Sequence, residues 1–87
     1  PFLRIARLAR QFSIPVMPHL LPDISAQLAM CLPLTPFVED IDEASFAALG
    51  ALTARGGVTI AGGTVSAAPE AGHGFTFATD TMERITP

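Results

Sequence analysis

Residues 15–33, PVMPHLLPDISAQLAMCLP, change character twice within a short span. Ile14 to Met17 is apolar with no polar alternation, the pattern of a parallel strand covered on both faces. Pro18 and His19 follow at its carboxyl end. Pro22 and Asp23 then suit the first turn of a helix, where a missing N–H costs nothing and a carboxylate meets the positive helix end. Ile24, Leu28, Cys31 and Leu32 recur at helical spacing and Pro33 closes the run. The stretch therefore reads as strand, then helix, with an imidazole at the tip of the strand.

The same grammar extends in both directions. Upstream, Phe2, Ile5, Leu8, Ala9 and Phe12 share one helical face and Arg4, Arg7 and Arg10 another, so a helix is expected over residues 2–12. Ser13 and Pro15 end it, because proline biases the preceding residue away from helical geometry. Downstream, Phe37 and Val38 form a second short strand that delivers Glu39 at its end. Helix, strand, helix, strand is the resulting order. A connection of twenty residues between His19 and Glu39 fits a parallel crossover and is far too long for a hairpin. Beyond Glu39 the pattern alters. DEASFAALGAL (42–52) predicts a short helix with Asp42 as N-cap and Phe46 and Leu49 facing inward. GGVTIAGGTVSAAP (56–69) predicts a β-hairpin, with Val58 and Ile60 paired across a Gly62–Gly63 turn from Val65 and Ala67. PEAGHGF (69–75) is a glycine-rich loop, and DTMERI (80–85) one last helical turn.

Composition sets the limits. Eighty-seven residues make one small domain at most. The chain is 49% hydrophobic and 15% charged, whereas about 25% charged is usual. That is more apolar material than a chain of this length hides easily. Packing against another copy, or against a missing part of the same polypeptide, is expected. The net charge of −3 argues against nucleic acid, which calls for a basic excess. No apolar run approaches the roughly 18 residues of a membrane span. The single cysteine, Cys31, excludes an internal disulfide and fits a reducing cytoplasm. Within an apolar helical run it reads as an inert buried thiol.

Several residues carry chemistry, each with a plainer reading beside it. The arginine stripe at 4, 7 and 10 suits phosphate, but a solvated helix face accounts for it. A histidine beside prolines is often a turn residue. His19, however, stands at a strand end, where parallel α/β architectures place their reactive groups. Glu39 holds the equivalent place on the next strand, so the two are expected to converge across one mouth. In EDIDE (39–43), successive strand residues point to opposite faces. Glu39 keeps a functional role there, while Asp40, Asp42 and Glu43 read as a solvated acidic turn. Gly72, His73 and Gly74 lack the full spacing of a phosphate cradle, so a backbone turn is expected and His73 is assigned no metal.

Taken together, IPVMPHLLPDISAQLAMCLPLTPFVEDID (14–42) and GGVTIAGGTVSAAPEAGHGFTF (56–77) resemble the last part of the catalytic domain of the enolase superfamily, in its mandelate racemase subgroup. The carriers are a strand ending in His19, an Ile24-Ser25-x-x-Leu28 helix, a strand ending in Glu39, and Pro69-x-x-Gly72-x-Gly74. The His19–Glu39 spacing also matches. The resemblance covers essentially the whole chain and implies an α/β fold: a partial (β/α) barrel comprising the seventh and eighth units, plus a C-terminal hairpin and tail. Residues 1–52 would form helix-strand-helix-strand-helix, and residues 53–87 the hairpin and return tail.

By the same resemblance the chain belongs to a magnesium-dependent enzyme, an acid-sugar dehydratase or racemase, that abstracts the proton alpha to a carboxylate. His19 would be the general base and Glu39 the electrophilic partner that hydrogen-bonds the substrate carboxylate as charge moves onto it. Histidine suits the base because its pKa lies near working pH. The three magnesium-binding carboxylates, the Lys-x-Lys base of the opposite face and the aspartate behind the histidine have no counterpart here. Neither does the capping domain; the chain contains no lysine and begins without methionine. A piece of a longer polypeptide, inactive and metal-free by itself, is the expectation. The alternative is a non-catalytic module that self-associates through open apolar edges.

Overall fold

The computed structural model describes residues 1–34 and 37–86. Helix α1 spans Phe2–Gln11, as its periodicity predicts. It ends where Ser13 turns left-handed, at φ 53°. The Ser13 N–H donates to Arg10 O and the Ile14 N–H to Ala9 O, which satisfies the last carbonyls of the helix. Only Ala6 of this helix is buried. Ile5 and Leu8 of its apolar stripe, and Phe12 just past its end, are 61%, 58% and 69% exposed.

The strands expected at 14–17 and 37–38 do not form. Both segments carry no ladder hydrogen bonds among the described residues, and the barrel built on them is not seen. The reason is non-local. A parallel strand is held by neighbours on its edges and cover on its faces, and these residues supply neither. Ile14, Met17 and Phe37 lie exposed instead.

Helix α2 spans Pro22–Ala29 with proline in its first turn, as expected, but stops before Cys31. Its buried face also differs from the expected stripe. Pro22, Asp23, Ser25, Ala26 and Ala29 are buried, whereas Ile24 and Cys31 are exposed. Small side chains win because α2 rests closely on a hairpin, strands β1 (Val58–Ala61) and β2 (Thr64–Ala67). Ile24 and Met30 are turned toward solvent, and Leu28 is half-buried. Cys31 is accordingly an exposed free thiol and not a buried one.

The hairpin matches its prediction. Strands β1 and β2 pair antiparallel, with Val58 opposite Ala67 and Ala61 opposite Thr64. Gly62 and Gly63 take φ of 56° and 74°, the two positive values that a type I′ turn demands. The helix expected over 42–52 shrinks to a 3₁₀ turn at Asp42–Ala44, followed by further turns. Asp42 lies inside that turn and makes no capping bond; Ser45 Oγ accepts from the Ala48 N–H instead, at 3.0 Å. Phe46 is half-buried and Leu49 exposed.

The return segment pairs back on the chain. Leu52 bridges Phe77, and the Thr53 and Ala78 N–H groups donate to Thr76 O and Ala51 O. Phe46, Phe75 and Phe77 meet edge to face at 5.9 and 6.3 Å, with the His73 ring tilted against Phe75 at 4.7 Å. The helical turn expected at 80–85 does not form there: a 3₁₀ turn covers Thr79–Thr81 and residues 82–85 are irregular.

The core is correspondingly small: Ala6, Ala26, Ala29, Leu52 and Val58. The accessible surface is 6536 Å², against about 4,900 Å² for a compact monomer of this mass. The radius of gyration is 14.5 Å, against about 12 Å for a compact chain of this length.

Candidate functional site

Four segments meet around His19. The extended segment 14–18 leads into it, and Leu20 and Leu21 then turn the chain sharply, both left-handed at φ 59° and 48°. Left-handed geometry costs a residue with a Cβ about 1–2 kcal/mol, so surrounding contacts must hold this turn. Ser25 Oγ donates to Leu20 O at 2.5 Å, the Leu21 N–H donates to Ala44 O at 3.1 Å, and the Leu20 N–H donates to Glu39 Oε2 at 3.2 Å.

That last bond carries Glu39 into the site. Its Oε2 also meets His19 Nδ1 at 2.6 Å. Imidazole and carboxylate, twenty residues apart, are thus in direct contact. The two segments that bear them are extended without being strands. The Leu20 N–H, followed by the His19 hydrogen bond, holds the Glu39 carboxyl below its ordinary pKa. An ionised carboxylate only accepts. His19 Nδ1 is therefore the donor, and the neutral ring keeps an unprotonated Nε2. The pair is open to water, with side chains 71% and 48% exposed.

Asp40, next in the extended segment, points elsewhere, as alternation predicts, and pairs with Arg55 at 3.1 Å. The acidic run is thus divided: Glu39 serves His19, Asp40 ties the segment to Arg55, and Asp42 and Glu43 remain exposed. Arg55 escaped the sequence reading because an ion pair between segments leaves no local signal.

Two further anchors also went unread. Asp23 is fully buried; its Oδ2 accepts from the Phe46 N–H at 2.7 Å, which ties α2 to the 42–46 turn. Its Oδ1 has no partner among the described residues. Gln27 Nε2 donates to Asp23 O and, at 2.9 Å, to His73 O, fixing the 69–75 loop to α2. His73 Nδ1 accepts from the Phe75 N–H at 2.9 Å, which fits its reading as a turn residue. Asp23 after Pro22 carries a sequence signal for a helix start but none for its burial.

No three His, Cys, Asp or Glu side chains gather among the described residues as a metal ion would require. The one titratable pair at the site is His19 with Glu39, and a magnesium ion takes several oxygen ligands in near-octahedral array. These residues do not fit magnesium by themselves. A cleft of about 320 Å³ lies by the hairpin base, lined by Thr53, Arg55, Gly57, Glu70 and Thr76 among others, away from His19. No helix among the described residues is long and apolar enough to cross a membrane.

Chemically, the pair offers an oriented base. A carboxylate holds one imidazole nitrogen protonated and leaves the other free to take a proton. Comparison with protein families matches residues 1–81 to the enolase C-terminal domain-like family. Comparisons with curated proteins and with solved structures find no match.

Proposed function

Because the chain belongs to the enolase C-terminal domain-like family, we propose that it is the C-terminal part of a mandelate racemase-like enzyme. Such an enzyme abstracts the proton alpha to a carboxylate in an acid sugar, as a dehydratase or racemase. The observation that carries this reading is the contact between His19 Nδ1 and Glu39 Oε2. His19 serves as the base through Nε2. Glu39 fixes the tautomer and stabilises the imidazolium formed when the proton arrives, as a carboxylate behind a catalytic histidine does elsewhere. To act instead as a donor toward the substrate carboxylate, Glu39 would need a proton and release from Leu20 and His19.

By itself the chain is inactive on this reading. A base exposed to bulk water lacks the dry, preorganised surroundings that stabilise a developing enediolate. The magnesium ligands of such an enzyme are to be sought outside these residues. Incubation of the chain with magnesium and a panel of acid sugars in D₂O should give no alpha-proton exchange. When the chain replaces the corresponding segment of an acid-sugar dehydratase, exchange should appear and vanish with His19→Asn. Exchange by the chain alone at a His19-dependent rate contradicts the inactivity, and exchange in the folded chimera that survives His19→Asn contradicts the assignment of the base.

A second reading rests on the excess surface and the bare stripe Ile5, Leu8 and Phe12: a non-catalytic module that self-associates. A discrete oligomer that survives dilution in sedimentation favours it, whereas open-ended aggregation or partial unfolding favours a segment that needs the rest of an enzyme.

A further inference from the structure

His19 is presented by a turn that its own sequence disfavours. Leu20 and Leu21 are both left-handed, and neither is glycine, the residue that adopts this geometry freely. Ser25 lies one helical turn away, buried, in the first turns of α2. A serine at a helix start ordinarily accepts a hydrogen bond from the N–H groups that follow it. Here the hydroxyl donates backwards out of the helix, to Leu20 O, while the Ser25 N–H donates to Leu21 O at 2.9 Å. The Ser25 hydroxyl therefore holds Leu20, while the Leu21 carbonyl is held by the backbone N–H groups of Ile24 and Ser25 that open the helix. Besides Glu39, it is the only side chain that hydrogen-bonds this turn among the described residues.

The consequence runs along one residue. The Leu20 carbonyl held by Ser25 and the Leu20 N–H held by Glu39 flank the same Cα. Fixing the carbonyl limits the ψ rotation of Leu20 and so the direction in which the turn leaves His19. Without the hydroxyl, one of the contacts that hold Leu20 left-handed is lost, and with it a restraint on the turn that presents its N–H to the carboxylate.

We propose that Ser25 is a positioning residue that, through the Leu20–Leu21 turn, holds the Leu20 N–H on Glu39 and thereby keeps Glu39 against His19. This rests on the His19–Glu39 pair being the working site, but its test needs no activity. In the full chain, Ser25→Ala is followed by NMR titration of the Glu39 carboxyl carbon and the Leu20 amide. Wild type should show a Leu20 amide whose shift follows Glu39 ionisation, and Ser25→Ala should lose that coupling, with the Glu39 midpoint moving up toward an ordinary carboxyl. The Phe46 amide, which Asp23 binds, should not move, and Ser25→Thr, which keeps the hydroxyl, should restore both signals. Should Ser25→Ala fail to fold, the double variant Ser25→Ala with Leu20→Gly decides. Glycine takes φ near 59° without a lock, so folding and the coupling of the residue-20 amide to Glu39 should return. A Ser25→Ala chain with unchanged coupling, or a double variant that recovers neither, overturns the proposal. Absent proton exchange in the enzyme context would instead count against the functional reading alone.

Discussion

At the scale of the residue, the site is one short contact and the groups that bias it. The Leu20 N–H and the His19 ring both favour the ionised carboxyl of Glu39, so its folded pKa lies below the unfolded one. The sign of the linkage follows. A depressed carboxyl contributes stability that is fully present above its unfolded pKa and is lost as pH falls through the folded value. Denaturant titrations between about pH 6 and about pH 3 should therefore show wild type losing stability relative to Glu39→Gln. Parallel curves for the two proteins would mean that the contact is not formed in solution. His19 and Glu39 were both legible in the sequence as candidates, because an ionisable residue after a short apolar run is a local signal. That they would face one mouth was expected as well, but their direct contact was not, since the turn that creates it depends on two left-handed leucines that no propensity favours.

At the scale of the element, what could be read was what short-range chemistry fixes. Helix α1 follows from its period and its arginine face. The hairpin follows from Gly62–Gly63, whose two positive φ values select the turn and with it the register. The segments 14–17 and 37–38 have strand composition and no strand, because pairing is not a property of the segment. The face of α2 was misjudged for the same reason: its neighbour, the hairpin, approaches over alanines. Gly57, at φ 79° just before β1, is a point of close approach, where an added Cβ meets Gln27 Nε2 and His73 O. Gly57→Ala should cost about 2–5 kcal/mol in thermal or chemical unfolding, the left-handed penalty and overpacking together. Gly62→Ala meets nothing within 4 Å and should cost only the left-handed penalty, about 1–2 kcal/mol. Equal costs for the two would mean that Gly57 does not approach Gln27 and His73 closely in solution.

At the scale of the whole molecule, the composition and the surface tell one story. A chain that is 49% hydrophobic buries five hydrophobic residues among those described, and its surface exceeds that of a compact monomer by roughly 1,600 Å². That excess is of the order of one side of a large obligate interface. Each of Ile5, Leu8 and Phe12 gains about 1.5–3 kcal/mol when covered, so water is a poor neighbour for α1. The isolated chain should bind a hydrophobic dye strongly or associate at rising concentration, and Leu8→Glu with Phe12→Glu should suppress both. A monodisperse, dye-silent chain at high concentration would show that the apolar face is satisfied in water. The sequence registered this excess through composition but not its location, which depends on which side of each helix this chain itself covers.

The paired imidazole and carboxylate are the centre of the account, and the tautomer of His19 tests them most directly. Long-range ¹H–¹⁵N NMR on the neutral ring should find the proton on Nδ1 and a bare Nε2, and Glu39→Gln should abolish that preference. A neutral His19 protonated on Nε2, or one indifferent to Glu39→Gln, would contradict the pairing and with it the base assigned to this site.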